Sequence, residues 1–187
     1  TLTGATSRIL QSYNLKILKG LIMANTTSAS IIIPNARLSF PSLYKTEAFN
    51  GEDTGKYACT LLIPKDAKVI KTINDAVAKL QTENKVKIQA DKICLKDGDY
   101  IDYDGYADHF SIKATNKRRI QLVARDGKTP LVEADNVFYS GCYVNAVITL
   151  WLQNNSYGKR INANLLGLQF AGDGEAFGEG APVDVTD

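Results

Sequence analysis

Between Gly141 and Gln153 the segment GCYVNAVITLWLQ changes character at every second position. Val144, Ala146, Ile148, Leu150 and Leu152 fall on one side of an extended strand, and Tyr143, Asn145, Val147, Thr149 and Trp151 on the other. The first side is a core face. The second mixes two aromatics with Asn and Thr, which suits a half-covered surface better than a second core. Two readings stay open for Tyr143 and Trp151: a helix or loop covers them, or they offer flat faces for nucleobases to stack on.

The same periodicity places the other elements. Ser30–Phe40, SIIIPNARLSF, reads as a strand that Pro34 confines to an edge or bends, and Pro41 ends it. A loop with turn signals at Asn50-Gly51 and Thr54-Gly55 leads to a strand over Lys56–Ile63, stopped by Pro64 and expected to pair with the first. Asp66 is placed to cap a helix whose stripe is Val69, Ile70, Ile73, Val77 and Leu80. A strand is expected over Val86–Leu95, then a hairpin loop turning at Gly98 and Gly105, then a strand with Phe110, Ile112 and Ala114 on one face and His109, Ser111, Lys113 and Thr115 on the other. Phe138 and Tyr139 should anchor the connection that follows. After the turn QNNSYG, Lys159–Phe170 returns as the partner of the opening strand, irregular near Gly167. Polarity matching sets Arg160, Asn162 and Asn164 beside Tyr143, Asn145 and Trp151.

The prediction is a mainly β chain: a five-stranded barrel with one helix and an additional hairpin over 31–172, flanked by a poorly ordered leader (1–30) and a disordered acidic tail (173–187). Met23, opening MANTTSAS, is the expected natural start, with the basic stretch before it as upstream translation; a targeting peptide is the competing reading.

Charge sharpens this division. The net charge of +2 for 187 residues resolves into +3 over 1–22, +4 over 23–172 and −5 over 173–187. A basic body with an acidic tail points to a polyanion partner and a tail that competes for that surface or recruits basic partners. Lys117, Arg118 and Arg119 are the densest basic cluster, and three adjacent bases cannot all point inward.

Catalytic chemistry finds little support. The lone histidine, His109, has no nucleophile elbow near it, both Gly-rich phosphate loops are missing, and Cys59, Cys94 and Cys142 form no metal-binding or disulfide pattern. Asp97, Asp99, Asp102, Asp104 and Asp108 crowd one loop without EF-hand spacing. A metal-dependent nuclease using Asp97, Asp99 and Asp104, or Glu133 and Asp135, is one alternative; a structural protein that self-assembles through its sheet is another. No cofactor or structural metal is expected, and no membrane partner either, since no apolar run approaches bilayer length.

A basic groove with aromatic faces on a small β-rich body is what nonspecific single-strand binding uses, and the OB-fold barrel commonly carries it. PNARLSFPSLYK, KYACTLLIPK, SIKATNKRR, YSGCYVNAVITLWLQNN and GKRINANLLGLQFAGDGEAFG, in that order and spacing, resemble the phage-encoded single-stranded-DNA-binding family long known only as a domain of unknown function. The resemblance spans about Ile31 to Gly178. It implies an OB fold, single-stranded DNA bound with little sequence preference, a part in phage replication and recombination in the cytoplasm of the infected host, and an acidic C-terminus engaging other replication proteins of phage or host; a homodimer stays open. The residues expected to hold phosphates are Lys113, Lys117, Arg118, Arg119, Arg125, Lys159 and Arg160, joined by Arg37, Lys45 and Lys56. Tyr143 and Trp151 are the leading stackers, with Tyr57, Tyr106 and Tyr157 behind them.

Overall fold

The computed structural model describes residues 25–178; the leader through residue 24, with Met23, and the acidic end beyond 178 lie outside the described residues. The elements in order are β1 (Ile31–Ser42), β2 (Ala48–Phe49), β3 (Glu52–Asp53), β4 (Tyr57–Pro64), helix α1 (Val69–Glu83), β5 (Leu95–Asp97), β6 (His109–Asn116), β7 (Gln121–Val123), β8 (Tyr143–Asn155) and β9 (Gly158–Gly172). β1 lies between β4 and β8, β4 pairs with β6, β8 pairs with β9, and β6 runs parallel to β9 at Ala114–Ala163 and Thr115–Asn164. That last pairing closes the five-stranded barrel, the OB fold expected from the sequence. β5 and β7 extend the sheet at β6 and β9, and β2–β3 is a separate hairpin.

Period two holds along β8: Val144, Ala146, Ile148 and Leu150 are fully buried, and Tyr143, Asn145, Val147, Thr149 and Trp151 are not. The β8–β9 register sets Leu150 against Ala163, Leu152 against Ile161 and Trp151 against Asn162. Apolar meets apolar inside the barrel, and polar meets mixed outside. Between Val147 and Ile148 the register shifts, leaving Leu166 of β9 as the unopposed residue beside Gly167, where an irregularity was expected.

Pro34 itself behaves as expected of a bend: the pairing with β8 shifts between Ile33 and Ala36, pairing with β4 begins only at Arg37, and Asn35 takes φ 50° with its N–H donating to Asn145 Oδ1 at 2.9 Å. Several sequence expectations need correction. Pro41 does not end β1; pairing with β4 slips between Ser39 and Ser42, with Phe40 at φ 47°. Asp66 does not cap α1, whose N-cap position is Lys68 with no side-chain cap, so packing of Ile70, Ile73, Val77 and Leu80 against β1 and β8 holds the helix. Most of Val86–Leu95 is not a strand: Ile88 N–H donates to the Gln81 side chain, a short 3-10 turn follows, and only Leu95–Asp97 pairs with β6. Thr26 and Ser28, within the stretch assigned to the leader, extend the β8 ladder through bonds to Leu152 and Leu150.

The first residues assigned to the acidic tail are among those described. Residues 173–178 form a strap along the barrel: Tyr139 Oη donates to Asp173 and receives Gly174 N–H, Phe177 N–H donates to the Ser140 carbonyl, and Gly178 N–H reaches Asp104. Gly141 makes this approach feasible, at φ 104° with the place of a Cβ only 2.2 Å from the Glu175 carbonyl oxygen. Gly141→Ala should therefore eject the strap and leave the barrel folded, seen as fast amide exchange at Gly174 and Phe177 with protection in β8 unchanged. Protection retained at Phe177 would show that the strap does not depend on that approach.

Candidate nucleic-acid interface

One hairpin and four strands build a cleft on the outer face of the barrel. Asn50 and Gly51, at φ 51° and 80°, make the tight turn that joins β2 to β3, so the loop between β1 and β4 stands up as a hairpin with Phe49 68% exposed near its tip. Across the face, the outward side of β8–β9 contributes Trp151, Gln153 and Asn162. Between them lie β4 and β6, supplying Lys56 just before β4, Thr60, Ser111, Lys113 and Thr115. The enclosed volume is about 720 Å³. In OB folds this is the ligand surface: the face of the second and third barrel strands, between the first and last hairpin loops.

Aromatic rings line both walls. Phe40, turned outward by its bulge, meets Tyr103 edge-on with centroids 5.0 Å apart, and Tyr103 leans on Tyr106 at 5.5 Å. Tyr103 is 58% exposed, while Tyr106 is 3% exposed and hydrogen-bonded to Ser39 at 3.1 Å. Tyr106 is thus the buried support of the cluster and cannot be the stacker expected from sequence; Tyr103 presents the open ring. Trp151 stands half-buried on the opposite wall. Lys56, Lys96 and Lys113 bring positive charge, with Lys113 Nζ bonded to Glu47 Oε1 at 2.5 Å and Lys96 Nζ to the Asp91 carbonyl.

Of the residues expected from sequence, the cleft gathers Lys56, Lys113, Trp151 and, as its floor, Tyr106. Arg160 is at the rim, across the ladder from Gln153, and Lys159 and the 88%-exposed Tyr157 continue to the hairpin tip. Tyr57 and Lys117–Arg119 sit at the end of β6, with Arg119 lining a second hollow beside Tyr44 and Leu131. Lys45 is exposed outside the cleft lining. Arg125 is turned away, bonded through Nε and Nη2 to the Ala171 carbonyl.

Tyr143 and Arg37 belong to another place. Tyr143 is eight residues from Trp151, about 27 Å along the strand, so the two rings do not share one cleft. The Arg37 guanidinium lies 5.4 Å from the Tyr143 centroid and 4.2 Å from that of Phe177, and it donates to the Gly141 and Glu175 carbonyls. Both residues are engaged by the strap.

Reasoning from sequence missed Phe40, Phe49, Tyr103 and Lys96. Its available signal was the spacing of three in Tyr100, Tyr103 and Tyr106, overshadowed by the aspartates around them. Two of the loop's aspartates are otherwise employed. Lys65 Nζ lies 2.7 Å from Asp97 and 2.5 Å from Asp99, holding both carboxyls below the usual range, while they hold its ammonium above its own. Among the described residues no three His, Cys, Asp or Glu group as metal ligands do. Burial pushes the Cys59 thiol far up and that of Cys94 to about 11, which suits packing and opposes nucleophilic chemistry.

The comparisons agree with this geometry. The family described as the single-stranded-DNA-binding protein of Enterobacter phage Enc34 matches residues 29–185. A putative protein p50 of Acyrthosiphon pisum secondary endosymbiont phage 1 is 34% identical over 169 residues, 84% of this chain and 91% of that protein. The single-stranded DNA-binding protein from bacteriophage Enc34 in complex with ssDNA superposes with a TM-score of 0.70 at 35% identity, over 80% of this chain and 89% of that one. Its C-terminal truncation gives 0.69 at 37%, over 79% and 88%. Barrel, cleft and sequence together place this chain in the Enc34 single-stranded-DNA-binding protein family.

Proposed function

We propose that this protein binds single-stranded DNA in the cleft between the β2–β3 hairpin and the β8–β9 hairpin. The single observation that carries the reading is the lining: the exposed rings of Phe49 and Tyr103 and the half-buried ring of Trp151 share one groove with Lys56, Lys96 and Lys113. Rings take bases by their faces and lysines take the phosphates between them. Little sequence preference follows, because every base has a π-face and two of the polar side chains present, Asn162 and Gln153, are bonded to each other at 3.0 Å. Lys117, Arg118, Arg119, Lys159 and Arg160 extend the strand's path beyond either end of the cleft. The setting is phage replication and recombination in the cytoplasm of the infected cell, with the acidic C-terminus engaging other proteins of that machinery.

The test is a titration with oligo(dT) across a salt series, following Trp151 emission and the anisotropy of labelled DNA. Trp151 should quench on binding. Each phosphate contact contributes about −0.7 to the slope of log affinity against log salt, so the three cleft lysines alone give a slope near −2 and the five rim cations bring it to about −6. No binding at low salt would overturn the proposal, and binding without quenching would move the DNA off this face.

A further inference from the structure

The groove carries a carboxylate where a polyanion is to lie. Glu47 lines the same cleft as Lys113, and its Oε1 holds the Lys113 ammonium at 2.5 Å, across 66 residues of chain. Its backbone is fixed at the foot of the β2–β3 hairpin: Glu47 N–H donates to the Lys56 carbonyl at 2.7 Å, and Thr54 N–H donates to the Glu47 carbonyl at 2.8 Å. The hairpin itself shares no strand pairing with the barrel, and its four strand residues are all exposed. Glu47–Lys113 is thus a side-chain link that reaches from the hairpin's foot to β6, across the path assigned to the DNA.

We infer that Glu47 is a resident stand-in for a DNA phosphate: it occupies the anion position at Lys113, and an incoming phosphodiester must displace it. This deepens the single-strand-binding reading and rests on it. The carboxylate holds the Lys113 ammonium at the cleft lining, where a phosphate oxygen would ask the same geometry of it. The exchange has two consequences. Binding is weaker than the lysines alone would give, since one ion pair is broken as another forms. The released carboxylate, left beside the DNA, retains a cation, so fewer ions are set free overall and the salt slope is shallower.

Four proteins test this with oligo(dT): wild type, Glu47→Gln, Lys113→Gln and the double variant, each checked for an unchanged melting temperature. Glu47→Gln keeps the side chain's size and removes its charge. It should raise affinity about three- to tenfold at low salt and steepen the slope by up to about 0.7. In the Lys113→Gln background the same change should have little effect, because the site for which Glu47 competes is gone. An equal gain in both backgrounds would overturn the inference in favour of plain repulsion at a distance, and unchanged or weaker binding by Glu47→Gln would overturn it as well. Failure of the wild type to bind at low salt is a separate result: it removes the DNA reading itself, and this inference with it.

Discussion

Oligo(dT) should bind a Trp151→Ala, Tyr103→Ala double variant at least ~30-fold more weakly than the wild type, with the salt slope unchanged. Each stacked base is worth about 1–3 kcal/mol, and two rings on opposite walls with no shared partner should act nearly independently, for a loss of about 2–6 kcal/mol. The slope stays because no cation is removed. Tyr103 is a good platform for a reason visible in its packing: Phe40 supports its edge and Tyr106 its flank, so little ordering is left for DNA to impose. Trp151 is held by its place in β8, with Asn162 across the ladder. The double variant removes the fluorophore, so anisotropy of labelled DNA is the readout. Affinity within threefold of wild type at a normal slope would assign binding to the phosphate contacts alone.

The reasons Trp151 could be found in the sequence and Tyr103 could not are instructive. Trp151 lies on a long strand, where one periodic pattern fixes the direction of every side chain once a single face is known to be buried. The mixed face of β8, its pairing with Asn162 and the irregularity near Gly167 all follow from that rule. Lys113 was legible in the same way, two positions from Ser111 and Thr115 on the outward side of β6. Helix α1 was legible from its stripe, although its start was not, because Asp66 carries the right chemistry two residues too early.

What stayed hidden depends on positive φ and on chain segments meeting over long separations. Phe40 would point inward in a regular strand; a left-handed residue and a register slip turn it out, and no hydrophobic pattern encodes that. Tyr103 and Tyr106 sit in a loop whose aspartates suggest solvent, yet Gly98 lets that loop lie against its own return: a Cβ there would come within 2.2 Å of the Tyr106 carbonyl oxygen. The fate of Arg37 depends on Phe177, 140 positions away in a segment whose Gly and acid content reads as structureless. The cations at the ends of β6 and β9 could not be sorted between cleft and rim for the opposite reason: charge density along a sequence says which residues are wet and leaves open which face they share.

Leu150→Ala carries the largest expected effect on the fold and separates the two faces of one strand. Leu150 is fully buried, packed in the barrel interior opposite Ala163, and a small partner leaves little that can move in to fill the space of a lost isobutyl group. Truncating a buried leucine costs about 2–5 kcal/mol, the upper part of that range applying where the surroundings cannot collapse. Against the 5–15 kcal/mol typical of a domain, this should lower the urea midpoint sharply while the m-value holds. The neighbouring change Trp151→Ala should do the reverse, leaving the midpoint nearly in place and taking affinity. Under conditions where Leu150→Ala is still folded, its oligo(dT) affinity should match the wild type, because the cleft is made by the opposite side of the strand. If Leu150→Ala lost affinity while folded, or Trp151→Ala unfolded the barrel, the division of β8 into a core face and a binding face would fail, and with it the reason for looking for DNA on this side of the molecule.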